Sequence, residues 1–99
     1  MRRLVFAERA RADIGRIRRQ SLRTWGAERT ANYLAELISA MDRIRTRSSP
    51  GVARDTIARG YRSLRCGRHV IYFRLSADEA LIARILHDRM DHVDQLRDT

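Results

Sequence analysis

Residues 61–90, Y-R-S-L-R-C-G-R-H-V-I-Y-F-R-L-S-A-D-E-A-L-I-A-R-I-L-H-D-R-M, constrain the fold more than any other part of this chain. They read as three short strands joined by two tight turns. Residues 61–65 alternate weakly, and Cys66-Gly67 supplies the glycine that a hairpin needs where the backbone must reach positive φ. Residues 68–75 then place His69, Ile71, Phe73 and Leu75 on one face and Val70, Tyr72 and Arg74 on the other, the period-2 signature of a strand. Ser76-Ala77-Asp78-Glu79 makes the second turn, and residues 80–87 return as an apolar strand. Whatever precedes this sheet has to cover it.

The preceding half changes period. Residues 2–6 (R-R-L-V-F) form a short strand, after which Ala10, Ile14, Ile17, Ser21 and Trp25 recur at helical spacing on one stripe. Arg9, Arg16, Arg19 and Arg23 fall opposite as a basic ridge, and Arg9 with Asp13 is expected to be an i,i+4 surface pair contributing a few tenths of a kcal/mol. Trp25 is expected to anchor the helix pair in the core. Gly26 fits the position after a helix end where a residue without Cβ turns left-handed. A second helix follows at once, with Ala31, Leu34, Leu37, Ile38, Met41 and Ile44 on its apolar stripe, so the two helices must form a hairpin. Ser48-Ser49-Pro50-Gly51 ends it. Residues 52–60 show no period and are expected to be an ordered loop anchored by Ile57. Residues 88–99 are acidic, with 4 Asp against 2 Arg, and Met90, Val93 and Leu96 suit a short segment packing back on the sheet. The expected architecture is α+β, ordered β-α-α-β-β-β: a strand, a helical hairpin, then a three-stranded antiparallel meander with the helices on one sheet.

At 99 residues the chain is expected to be a single domain, residues 1–99, with one core. No apolar run approaches the roughly 20 residues that span a bilayer, and no secretory apolar segment follows the N-terminal arginines. A cytoplasmic protein without membrane contact is the expectation. The single Cys66 excludes an internal disulfide, and no Cys/His spacing indicates a metal site or a cofactor. Its position in a hairpin turn argues for an inert thiol. The formal net charge is +9, and residues 1–47 hold 12 arginines against 5 acids, so the excess lies in the helical half. Such a surface suits nucleic acid, an anionic membrane or an acidic protein segment, and the sign alone does not choose.

The sheet residues carry a resemblance that does. Gly60-Tyr61-Arg62, then Gly67-Arg68-His69-Val70-Ile71-Tyr72-Phe73-Arg74, then Ile82-Ala83-Arg84-Ile85-Leu86-His87-Asp88-Arg89-Met90-Asp91, following Trp25-Gly26 at a helix end, resemble the ParE branch of the RelE/ParE toxin superfamily over nearly the whole chain. The resemblance implies a toxin of a bacterial toxin–antitoxin operon that poisons DNA gyrase by binding, without catalysis. It implies a ParD-like antitoxin whose acidic, flexible C-terminal segment wraps the toxin and whose N-terminal half binds DNA, so that contact with DNA is only indirect. An Arg-rich surface suits such a segment. On this basis the target-binding candidates are Arg62, Arg65, His69, Arg84, His87, Arg89 and Met90. The antitoxin-binding candidates are Arg9, Arg16, Arg19, Arg23, Trp25, Tyr33, Tyr72 and Arg74.

The superfamily's other branch cleaves mRNA on the ribosome, which requires cations on the scissile phosphate and a general base and acid near the 2′-hydroxyl. Arg62, Arg65, His69, Arg84 and His87 are the residues that would build such a pocket. Against it, His69 stands where the ribonucleases keep Arg, and the C-terminal segment has no Tyr but carries Asp88, Asp91, Asp94 and Asp98, which repel phosphate. The residues leave several roles open. His69 and His87 on neighbouring strands either act as a pair or each fix the sheet through a hydrogen bond, and His92 is expected to be exposed. Arg74 and Arg84 form either a binding patch or cross-strand ion pairs. Tyr61 and Tyr72 pack, or stack on bases. A helix-based DNA reader lacks its recognition side chains here, and a sheet-based RNA binder lacks its Gly-rich aromatic signature.

Overall fold

In the computed structural model, which describes residues 1–97, the apolar strands of the 61–90 stretch form the middle of one sheet. The elements run β1 (Arg3–Phe6), α1 (Glu8–Trp25), α2 (Ala27–Thr46), β2 (Val52–Ala53), β3 (Arg62–Cys66), β4 (His69–Leu75), β5 (Glu79–His87) and α3 (His92–Arg97). Asp98, counted above among the C-terminal acids, lies outside the described residues. The sheet has five strands in the order β1-β5-β4-β3-β2. β2 to β5 are antiparallel neighbours, whereas β1 pairs parallel with β5, because the helical hairpin carries the chain across before it returns. The fold is α+β with the helices on the sheet, as the alternating patterns require. The loop expected at 52–60 contributes the short edge strand β2.

Period-2 alternation along β4 divides the protein into two cores. Ile71 and Phe73, with Ile82 and Ile85 from β5, meet Ala10 and Ile17 of α1 and Leu37, Ala40, Met41 and Ile44 of α2. Each fully buried Phe, Leu or Ile contributes about 1.5–3 kcal/mol relative to exposure. On the opposite face Tyr72 and Leu86 pack against Leu96 of α3, with Ile57 and Ala58 of the 52–60 segment. Ile57 thus anchors that loop, while Met90 and Val93 remain exposed and Leu96 is the one of the three expected apolar residues that packs on the sheet.

Register in β5 changes partway. Tyr72 pairs with Arg84 but Phe73 pairs with Ile82, so Ala83 is an extra residue and the strand bulges. Residues 80 and 82 face the helices before the bulge, and residues 85 and 87 face them after it. The shift is what puts His87 opposite His69 on the helical side.

One residue, Gly26, separates α1 from α2. Its φ of 86° and ψ of 178° lie in a region open essentially to glycine, an extended variant of the left-handed turn expected there. Two expected stripe residues of α2 miss the core. Ala31 is exposed and Ile38 is 67% exposed, because the buried face centres on Thr30, Tyr33, Leu37, Ala40, Met41 and Ile44. Trp25, expected in the core, is 38% exposed at the end of α1, where its ring meets Tyr33 edge-on at 6.1 Å and carries the Arg29 guanidinium at 5.5 Å.

Candidate functional site

The tips of β4 and β5 and the middle of α1 enclose a cleft of about 320 Å³, lined by Arg16, Ile17, Gln20, His69, Ile85, His87, Arg89 and Met90. A smaller extension of about 150 Å³ runs along α1 past Thr24 to Trp25. The cleft exists because α1 lies across the outer edge of β5 beyond the end of β1. β1 covers β5 only as far as Ile82, and past that point Asp13 of α1 accepts the Ile85 backbone N–H at 2.9 Å, an amide that a further strand would otherwise satisfy.

Asp13 is the residue that sequence reasoning missed. Far from being a surface partner of Arg9, it is 1% exposed and accepts from Arg84 Nε at 2.8 Å, Arg84 Nη2 at 3.0 Å and Arg16 Nη2 at 2.7 Å. Burial pushes its carboxyl up, but the bonds from Arg84, Ile85 and Arg16 prevail and hold it below the usual carboxylate value. Arg84 also donates through Nη1 to the Gln95 backbone carbonyl at 3.3 Å, tying α1, β5 and α3 together. The available signal was the stripe itself, because Asp13 lies three residues after Ala10 and four before Ile17, where a carboxylate demands a buried cation.

Tyr33 is the second support. Its hydroxyl lies 2.6 Å from His69 Nδ1, 3.1 Å from the Cys66 carbonyl and 3.2 Å from the Arg68 backbone N–H. Gly67 permits this. Its φ is +57°, and a Cβ there would come within 2.7 Å of the Tyr33 ring. With Nδ1 held, His69 turns its Nε2 away from Tyr33. Burial first, and the neighbouring His87 second, push its pKa down to about 4, so the imidazole is neutral at pH 7. The His87 ring stands edge-on at 5.3 Å, and its Nδ1 accepts the Arg89 backbone N–H at 3.2 Å, which leaves Nε2 as the protonated nitrogen of the neutral ring. Burial and the Glu36 charge push the Cys66 thiol up, so it stays protonated.

The candidate target-binding residues therefore separate. His69, His87, Arg89 and Met90 share the cleft, joined by Arg16 and Gln20 from α1. Arg62 is engaged with the Pro50 and Gly51 carbonyls at 2.8 and 3.3 Å, and Arg65 with Asp88 at 2.8 Å. Arg84, 5% exposed in its ion pair, is corrected from surface contact to internal tie. The candidate antitoxin residues separate as well. Arg9, Arg16, Arg19 and Arg23 are exposed along α1, and Trp25 at its end meets half-buried Tyr33. Tyr72 and Arg74 lie on the opposite face of the sheet, since they occupy the other parity of β4. Tyr72 is 2% exposed beneath α3, its hydroxyl 2.7 Å from His92 Nδ1, while Arg74 covers the Tyr61 ring at 5.1 Å. Tyr72 is thus no surface contact. His92 is half-buried rather than exposed, its Nε2 donating to the His87 carbonyl at 2.9 Å. No group of His, Cys, Asp and Glu suited to a metal ion occurs among the described residues, and no helix among them is long and apolar enough to cross a membrane.

Residues 4–92 match the family model of the ParE toxin of the type II toxin–antitoxin system parDE. The chain belongs to the ParE toxin family. A Toxin ParE of Escherichia coli is 32% identical over 95 residues, covering 95% of this chain and 92% of that protein. Toxin ParE1 of Caulobacter vibrioides is 31% identical over 86 residues, 87% of this chain and 88% of that protein. Toxin ParE1 of Mycobacterium tuberculosis is 38% identical over 68 residues, 68% and 69% of the two chains. Among solved structures, a chain of the chromosomal ParDE system from P. aeruginosa superposes with a TM-score of 0.76 at 21% identity, covering 88% of this chain and 96% of that one, a likeness of fold. This protein is a ParE-type toxin of a type II toxin–antitoxin system, as its strand motifs indicate.

Proposed function

We propose that this ParE-family toxin is a single binding domain that inhibits DNA gyrase without catalysis and is held inactive by a ParD-type antitoxin. The observation that carries the non-enzymatic reading is the fate of the arginines. A ribonuclease centre needs unengaged cations around the scissile phosphate beside a titrating base. Here Arg84 is committed to Asp13, Arg62 to backbone carbonyls and Arg65 to Asp88. His69 faces the cleft backed by Tyr33, with a pKa near 4, too low for an efficient base at neutral pH. Arg16 and Arg89 keep guanidinium donors in the cleft, where they form a recognition surface. The exposed arginines of α1 supply the charge that an acidic antitoxin segment requires, and the cleft lies beside them.

A supercoiling assay with purified gyrase tests the target. Inhibition, relieved by stoichiometric ParD-type antitoxin, is the expected result. Ribosome-dependent mRNA cleavage with supercoiling intact would overturn the proposal in favour of the nuclease.

A further inference from the structure

Donors outnumber acceptors in the cleft between α1 and the tips of β4 and β5. Arg16 commits one Nη2 donor to Asp13, and its remaining guanidinium donors meet no acceptor among the described residues. The Arg89 guanidinium and the Gln20 amide line the same space, and His87 points its protonated Nε2 there because Nδ1 accepts the Arg89 N–H. The floor is apolar, formed by Ile17, Ile85 and Met90.

The acid beside the cleft supplies the second observation. Asp88 Oδ2 is paired with Arg65, but Oδ1 is buried and receives no hydrogen bond, although His87 Nδ1 lies only 3.0 Å away. A protonated His87 would donate in both directions, Nδ1–H to that orphaned oxygen and Nε2–H into the cleft. The Arg89 N–H it releases belongs to an exposed residue and passes to water. Around the ring stand Arg16 with Asp13 behind it on α1, Asp88 with Arg65 behind it on β3, and Arg89 on the turn. With Arg84 behind Asp13 as well, four guanidiniums against two carboxylates leave the cleft with an excess positive charge. The remaining titratable neighbours are His69 on β4, which burial keeps neutral at pH 7, and His92 on α3.

Resting on the reading of this chain as a toxin that acts by binding proteins, we infer that the cleft is a receptor for a glutamate side chain presented by a protein partner. The carboxylate sits among Arg16, Arg89 and His87 Nε2–H, where charge-assisted hydrogen bonds are strongest. The methylene stem lies on Ile17 and Met90, a contact that a bare inorganic anion lacks.

The probe is a 12-residue peptide of Glu, Ala and Leu, with its Gln-for-Glu counterpart and inorganic phosphate as controls. Trp25, the single tryptophan, reports affinity by fluorescence from the adjoining extension of the cleft, and histidine imidazole NMR signals report location. The Glu peptide is expected to move the His87 and His69 signals and to bind at least about tenfold tighter than the Gln peptide. Arg89→Gln, whose side chain meets no partner among the described residues, is expected to weaken binding about tenfold, with Arg16→Gln as the second variant. Equal affinity for the two peptides, binding that leaves both imidazoles unmoved, or displacement of the peptide by phosphate at equal concentration would each overturn the inference. The gyrase assay separates the two levels. Supercoiling inhibition without peptide binding sinks the receptor and leaves the toxin proposal standing, and peptide binding without inhibition does the reverse.

Discussion

Removing the Asp13 carboxylate should be among the most destabilising single changes available to this protein. Asp13→Ala deletes the acceptor of four hydrogen bonds and leaves Arg84, 5% exposed, as an unpaired cation between α1, β5 and α3. Breaking a buried ion pair from one side costs about 3–5 kcal/mol. The Ile85 N–H also loses its acceptor, at the cost of a buried orphan amide, about 1–3 kcal/mol, part of which water entering the gap offsets. For a domain of this size, with about 5–15 kcal/mol in total, the loss should lower Tm by roughly 15–30 °C. Urea denaturation followed by far-ultraviolet circular dichroism and Trp25 fluorescence measures it directly. The double variant Asp13→Leu/Arg84→Met removes both charges and should recover most of the stability, with a residual deficit from the Ile85 amide. Because the folded pKa of Asp13 is depressed, its contribution is complete above the unfolded value near 4 and disappears as pH falls through the folded value, so the variant should lack part of the wild-type acid limb. A cost below about 1 kcal/mol, or a double variant no more stable than the single, would refute the assignment of Asp13 as the tie between α1 and β5.

Three further outcomes follow from the site. An NMR titration should place the His69 midpoint near 4, and a midpoint at the ordinary 6.5 would contradict its burial. The sign is that of a depressed group: neutral His69 stabilises fully above about 6.5, and that stability is lost as pH drops toward 4, so His69→Gln should flatten this interval. Gly67→Ala should cost at least about 1–2 kcal/mol in chemical denaturation, since the residue sits at φ +57° and the new methyl meets the Tyr33 ring; an unchanged midpoint would show that Tyr33 does not hold the turn. Leu96→Ala, which empties the contact between α3 and the sheet, should cost about 2–5 kcal/mol and expose the amides of 92–97 to hydrogen exchange ahead of β4, whereas uniform exchange would deny α3 its separate anchoring.

Much of this fold is visible in short-range patterns. The β4 alternation separates His69, Ile71 and Phe73 from Tyr72 with no tertiary knowledge, because successive side chains in a strand must oppose one another. Gly67 announces its turn and Gly26 its helix break. Patterns fail where a residue's partner is distant in sequence. Asp13 meets Arg84 across the open edge of β5, and an i,i+4 rule cannot see that edge. Trp25 satisfies the helical stripe and still ends exposed, because the sheet it would pack against ends before α1 does.

The candidate site divides along the same line. Sequence alone determined the order of elements, the two faces of the central strand, the basic face of α1 and the motifs that mark the family, since each depends on neighbours within a few positions. Only the tertiary structure decided which cations remain free to bind. Arg62, Arg65, Arg84 and Arg89 are chemically the same residue, but three are engaged by acceptors brought from elsewhere in the fold, and Arg89 faces the cleft. The bulge at Ala83 is equally tertiary: one extra residue in β5 shifts the parity of everything after it and brings His87 beside His69.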